Sequence, residues 1–139
     1  MLVVTLRTAM RKDNWPRLLE DYIVQKKDQP FEWGSNDCWQ FSIHAVKEIS
    51  DKDLTNLFEY QTARRAAELM SEHGGMMGAA DKYFGQSKSV MLAQRGDVVC
   101  LINSGRELLG ICVGEMSAFV AESGIIMQPT LNCEKAWSI

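Results

Sequence analysis

The sequence predicts an α+β domain, with helices first and a small antiparallel sheet after them. Three observations carry that class. The chain has 139 residues, enough for one domain with its own core. Apolar residues recur at helical spacing up to about residue 90. Beyond it the pattern changes to short apolar runs separated by Ser-Gly turns, so the two kinds of element follow one another rather than alternate.

The helices are taken in order. Asn14 is placed to cap a first helix, with Pro16 in the first turn, where a missing N–H costs little. Trp15, Leu18, Leu19, Tyr22 and Ile23 form its apolar stripe, which ends at "KKDQP" because Pro30 pushes its neighbour out of the α region. A second helix is predicted from Cys38 to Ile49, with Cys38, Phe41, Ala45, Val46 and Ile49 on its buried face. Thr62 caps a third helix, carrying Ala63, Ala66, Ala67 and Met70 and ending at His73-Gly74-Gly75. A short fourth helix follows over 76–84.

The strands begin at Gly96. "DVVCLIN" and "ELLGICVG" flank "SGR", and "SAFVAE" and "IIMQP" flank "SG", which gives two hairpins. "KAWSI" supplies a last strand. Residues 98–102 are apolar at every position, the pattern of a strand covered on both faces. Residues 1–12 are expected to form a strand or an extended arm. "MLVVTLRTAM" lacks the basic leader and longer apolar core of a signal peptide. One domain over 1–139, without repeats or linkers, is the expectation.

Composition narrows the function. The net charge is −3, and Lys and Arg are scattered among acids, which argues against a nucleic-acid groove. No apolar run approaches the ~20 residues of a membrane span. The four cysteines, Cys38, Cys100, Cys112 and Cys133, form no C-x-x-C pair and lie at no short spacing from a histidine. No metal site and no cofactor are expected, and reduced thiols fit best. Three of the four lie in apolar surroundings and read as core. The methionines at 70, 76 and 77 and the four tryptophans divide between core filling and contact surface.

Cys38 differs from the other three. It opens a helix, where unpaired N–H groups and the helix dipole favour a thiolate. It lies within "PFEWGSNDCWQF", residues 30–41. This stretch resembles the signature of the NlpC-type cell-wall cysteine peptidases, small papain-like enzymes that cleave peptidoglycan stem peptides. Their Pro-Tyr-x-Trp-Gly, spacer, Asp-Cys-Ser-Gly-Leu is matched by Pro30, Phe31, Trp33, Gly34, Asp37, Cys38 and Phe41. Gly96-Asp97 matches the pair that opens the family's first strand. Gly110, Ile111 and Gly114 match its next strand, His-Val-Gly-Ile, two residues, Gly. The resemblance implies a papain-like NlpC-type fold, with Cys38 at the nucleophile position.

The chain is also similar to a narrower group, the NlpC-like proteins encoded beside tail genes of long-tailed phages. The shared features are "NDC" at 36–38, "HGG" at 73–75, "RGDVV" at 95–99, Ala118-Phe119, and Ala136-Trp137 before Ile139. This similarity implies a virion component of the phage tail, made in the bacterial cytoplasm, with other tail proteins as partners and peptidoglycan as a further candidate.

Chemistry at Cys38 needs a thiolate, a base within about 3 Å and oxyanion donors. The family's base position is matched by Leu108, which moves no proton. The family's Tyr is Phe31, the same ring without its hydroxyl. The third polar position falls near Val120 or Ala121, with Glu122 the nearest polar residue. Cys38 is then a vestigial nucleophile. Trp39-Gln40 replaces the family's small Ser-Gly, and an indole there would crowd the cleft. Of the two histidines, His44 lies about 600° around the helix from Cys38 and ~9 Å along it. His73, at a helix end, is the remaining candidate base. Loss of a triad member typically costs about four to six powers of ten in rate. The expectation is therefore a structural or assembly component of a tail tip, a pseudoenzyme on a peptidase fold. The alternative is an active peptidoglycan peptidase or amidase that aids DNA entry, with Cys38 as nucleophile. A peptidoglycan-binding module that lost cleavage is a third reading.

Overall fold

The computed structural model describes residues 10–139. Most of the expected N-terminal strand or arm lies outside the described residues. Within them, four helices precede a five-stranded antiparallel sheet, an α+β architecture.

The first helix, α1 (Trp15–Lys26), starts after Asn14, but the Asn14 side chain makes no hydrogen bond to it. At φ −100° and ψ 25° its backbone is not extended, so the side chain does not reach back over the first turn. The Asn14 carbonyl instead accepts from Arg17 and Leu18 N–H. The helix buries Leu19 and Tyr22, and the Tyr22 hydroxyl donates to the Phe41 carbonyl at 2.7 Å. That bond fixes α1 against α2 (Cys38–Ile49), the most buried helix. Thr62 caps α3 (Ala63–Ser71) by accepting from Arg65 N–H at 3.1 Å. Left-handed Gly74 then turns the chain into α4 (Gly75–Phe84). Among the described residues, no helix is long and apolar enough to cross a membrane.

Strands β1 (Val98–Asn103), β2 (Arg106–Cys112), β3 (Met116–Ala121), β4 (Gly124–Pro129) and β5 (Lys135–Trp137) form a sheet in the order β4-β3-β2-β1-β5. The first hairpin closes through Ser104 and Gly105, both at positive φ (52° and 77°), the backbone of a two-residue turn matched to strand twist. The second closes one residue earlier than the "SG" pattern suggests. Ala121 pairs with Gly124, leaving Glu122-Ser123 as the turn. A side chain on Gly124 would strike the Lys27 carbonyl, so this residue serves close packing within the strand.

The sheet has two unequal faces. Cys100, Leu109, Ile111, Val120 and Trp137 join α2 and its neighbours in the main core. On the other face Val99, Cys112, Phe119, Cys133 and Ala136 form a smaller cluster with Val90, Ala93, Leu101 and Leu108. Strand β1 is thus covered on both faces only over its first half. Val98, Val99 and Cys100 are buried, but Leu101 is half-buried and Ile102 exposed. The edge of β1 is covered over the same half, since β5 pairs with Val98, Val99 and Cys100 and stops there. All four cysteines are buried and free. Met70 is buried, while Met76 and Met77 are half-buried against the main core.

Candidate functional site

The start of α2 is organised by Asp37. Its Oδ1 accepts from Gln40 N–H and its Oδ2 from Gly34 N–H, both at 2.9 Å. The carboxylate therefore caps the helix and also pulls the Trp33-Gly34 turn onto it. Asn36 secures the loop before it, donating from Nδ2 to the carbonyls of Gln29 and Pro30. The Phe31 N–H donates to the Glu122 carbonyl at 3.3 Å, and the Phe31 and Trp33 rings meet edge to face at 4.8 Å. Phe31 and Trp33, together with Ala66, Met70, Met76, Arg106 and Glu107, line a cleft at Cys38. The cleft holds about 390 Å³ and its lining is mainly apolar.

The Cys38 side of the cleft is electrostatically unsuited to a thiolate. Burial pushes the thiol up to about 11. The Leu109 N–H acts against the shift, the Asp37 charge adds to it, and the N–H groups of Trp39 and Cys38 itself pull it down weakly. The helix-terminal donors expected from position are present. Desolvation of the sulfur outweighs them.

The expected partners are dispersed. Leu108 lies at the cleft's edge but packs with the outer cluster of the sheet. Side chains alternate along a strand, so the helix-facing row of β2 is Glu107, Leu109 and Ile111. Leu109 is buried in the core, and Glu107 is engaged by the Met76 N–H at 3.1 Å. His73 holds the Leu69 carbonyl at 2.8 Å through Nδ1, and its ring packs on Phe58 and Tyr83 at 5.0 and 6.0 Å. His44 holds the Gln40 carbonyl at 2.7 Å. Neither histidine lines the Cys38 cleft. Val120 is buried, Ala121 is half-buried, and the exposed Glu122 reaches this region with its backbone carbonyl. Trp39 does not crowd the cleft. Its indole is buried on another side of α2, 5.2 Å from Phe58 and 6.5 Å from Phe84, because a step of one residue turns a helical side chain by about 100°.

A second cleft lies across Trp33, and the sequence reading missed it. It holds about 870 Å³ and is lined by Trp33, Gln40, His44, Phe58 and Tyr60, with Glu32 and Glu59 at the rim. Gln40 is 3% exposed and Tyr60 7%. Burial raises the Tyr60 pKa far above the ordinary tyrosine range, and the neighbouring Asp37 carboxylate adds to the shift. The available signal was Gln40 itself, an amide between Trp39 and Phe41 on the most buried helix.

Among curated proteins no sequence matches this chain. The profile of the family described as "Domain of unknown function (DUF6950)" matches residues 10–139. That match spans nearly the whole chain, which therefore belongs to the DUF6950 family.

Proposed function

We propose that this protein is a structural or assembly component of a long-tailed phage tail tip, built on an NlpC-like peptidase fold whose catalytic site has become packing. The observation that carries the reading is the Cys38 thiol, 9% exposed and pushed up to about 11, with no histidine among the residues lining its cleft. An acyl-transfer site needs a base beside the nucleophile. Here the nearest strand presents Leu109, whose contribution is a backbone N–H. The tail assignment is supported by the similarity of 36–38, 73–75, 95–99 and the Ala136-Trp137 ending to phage tail-associated NlpC-like proteins. Its partners are then neighbouring tail proteins.

The test is complementation of tail assembly with Cys38→Ser, alongside alkylation of the wild-type thiol. A structural role predicts that Cys38→Ser restores infectious particles to the wild-type level. It also predicts slow alkylation at neutral pH that accelerates above pH ~9, where the thiolate begins to form. Particle yield falling by orders of magnitude with normal tails on the grid, together with fast labelling near pH 7, would establish the thiol peptidase instead.

A further inference from the structure

The geometry points to the polar cleft beside α2 as a receptor for a basic side chain, above all the guanidinium of an arginine, on a partner protein. This goes beyond the reading of Cys38 and does not depend on it, since the two clefts share only Trp33 among their lining residues.

The argument begins with charge. Two carboxylates, Glu32 and Glu59, stand at the rim, and no Lys or Arg lines the cleft. Neither carboxylate forms a salt bridge among the described residues. Glu32 accepts from the Ser35 hydroxyl, which orients the carboxylate without neutralising it. The floor continues the same preference. His44 Nδ1 donates to the Gln40 carbonyl, which leaves Nε2 as the uncommitted ring nitrogen. The Gln40 amide is more than nine-tenths buried and lies at the cleft surface beside the Tyr60 hydroxyl. The aromatic residues Trp33, Phe58 and Tyr60 complete the lining.

Acceptors, unneutralised negative charge and aromatic faces together suit one chemistry. A guanidinium is donor-only, planar and permanently charged, pairs with carboxylates and stacks on rings. An anion would meet two like charges. A neutral saccharide would desolvate the carboxylates without pairing their charge, which is unfavourable. The cleft also has a rigid base. The Asp37 carboxylate joins the Gly34 and Gln40 N–H groups, so the receptor floor is held by the same residue that starts α2.

The test is an NMR titration of the whole chain at neutral pH with N-acetyl-arginine methylamide. N-acetyl-citrulline methylamide, the uncharged isostere, and N-acetylglucosamine are titrated in parallel. The expected result is saturable shifts of the Gln40, His44 and Tyr60 amides by the arginine derivative, at about 1–10 mM for a single side chain. Citrulline should bind at least about fivefold more weakly, and Glu59→Gln should weaken arginine about threefold. Glu115→Gln removes the same charge at a distant exposed groove and should leave the affinity unchanged. Equal binding of citrulline, shifts produced by the saccharide alone, no shifts at this cleft, or an equal loss with Glu115→Gln would each overturn the proposal. Failure here leaves the Cys38 reading standing, because alkylation and complementation report on different atoms.

Discussion

Lys88 Nζ lies 2.8 Å from Asp97 Oδ2, and Asp97 is 1% exposed. The same carboxylate takes Arg11 Nη2 at 3.1 Å, Gln94 N–H at 2.8 Å and Ile139 N–H at 3.3 Å. Arg11 in turn donates to the Ile139 carbonyl at 2.6 Å. One buried side chain thus joins the first described residues, the approach to β1 and residue 139. The Arg-Gly-Asp at 95–97 is spent on this junction.

Asp97→Ala is expected to cost about 3–5 kcal/mol, because it leaves two cations and two N–H groups without their shared acceptor. Lys88→Ala should cost less, about 1–2 kcal/mol, since Arg11 continues to satisfy the carboxylate. Urea unfolding of both variants at one pH measures the difference. Equal costs would show that Asp97 is not the hub.

Stability should fall in alkali. Burial pushes Cys38 and Cys133 up to about 11 and Cys100 up to about 12, from an ordinary value of 9. Between those values the unfolded chain releases protons that the folded protein retains. The stabilisation is therefore present below pH 9 and lost as pH rises through about 11 for Cys38 and Cys133 and about 12 for Cys100. Each thiol contributes a slope of about 1.4 kcal/mol per pH unit in that window. Denaturation at pH 8, 9, 10 and 11 gives the slope. Cys100→Ala should reduce it by one thiol's share, whatever it does to absolute stability.

Gly34→Ala should destabilise by about 2–4 kcal/mol. Gly34 has φ +87°, and a Cβ there would sit 2.0 Å from the Tyr60 carbonyl oxygen, which is backbone and cannot swing aside. Gly85→Ala is the control, with a similar φ of +89° and open space around it. Its cost should be about 1–3 kcal/mol, from conformation alone, since φ +89° with ψ −157° is a backbone that glycine adopts almost exclusively. Thermal melts of the pair separate close approach from backbone strain.

The two fully buried indoles should respond differently to phenylalanine. Trp137 Nε1 donates to Asp81 at 3.0 Å, and Trp137→Phe removes that bond as well as leaving a void. Its expected cost is about 2–4 kcal/mol. Trp39 Nε1 is buried without a partner. Trp39→Phe loses packing but removes an unpaired donor, so its cost should stay within about 1–2 kcal/mol. A larger loss at position 39 than at 137 in urea unfolding would contradict this.

Much of the fold was legible because its causes are local. Asp37 caps the helix that begins at Cys38, Thr62 caps α3, and Ser104-Gly105 makes the first hairpin. Each depends on residues within three or four positions of one another. The Asn14 cap and the second turn were misread by small local margins. There the backbone angle at Asn14 and the Lys27 carbonyl over Gly124 decided, and neither is visible in a pattern of residue types.

By itself, then, the sequence determined the order of elements, the buried stripe of α2 and the presence of a thiol at a helix start. Only the tertiary structure decided what that thiol meets. Whether Leu108 or Leu109 stands beside Cys38 depends on how β2 lies against α2. A one-residue step on a strand exchanges faces, so the outcome rests on contacts some seventy positions apart in the chain. The polar cleft has the same origin. Gln40, Tyr60 and Glu32 come from separate stretches, and they converge because Asp37 ties the Trp33-Gly34 turn to the first turn of α2 while Gly34 packs closely on the Tyr60 carbonyl.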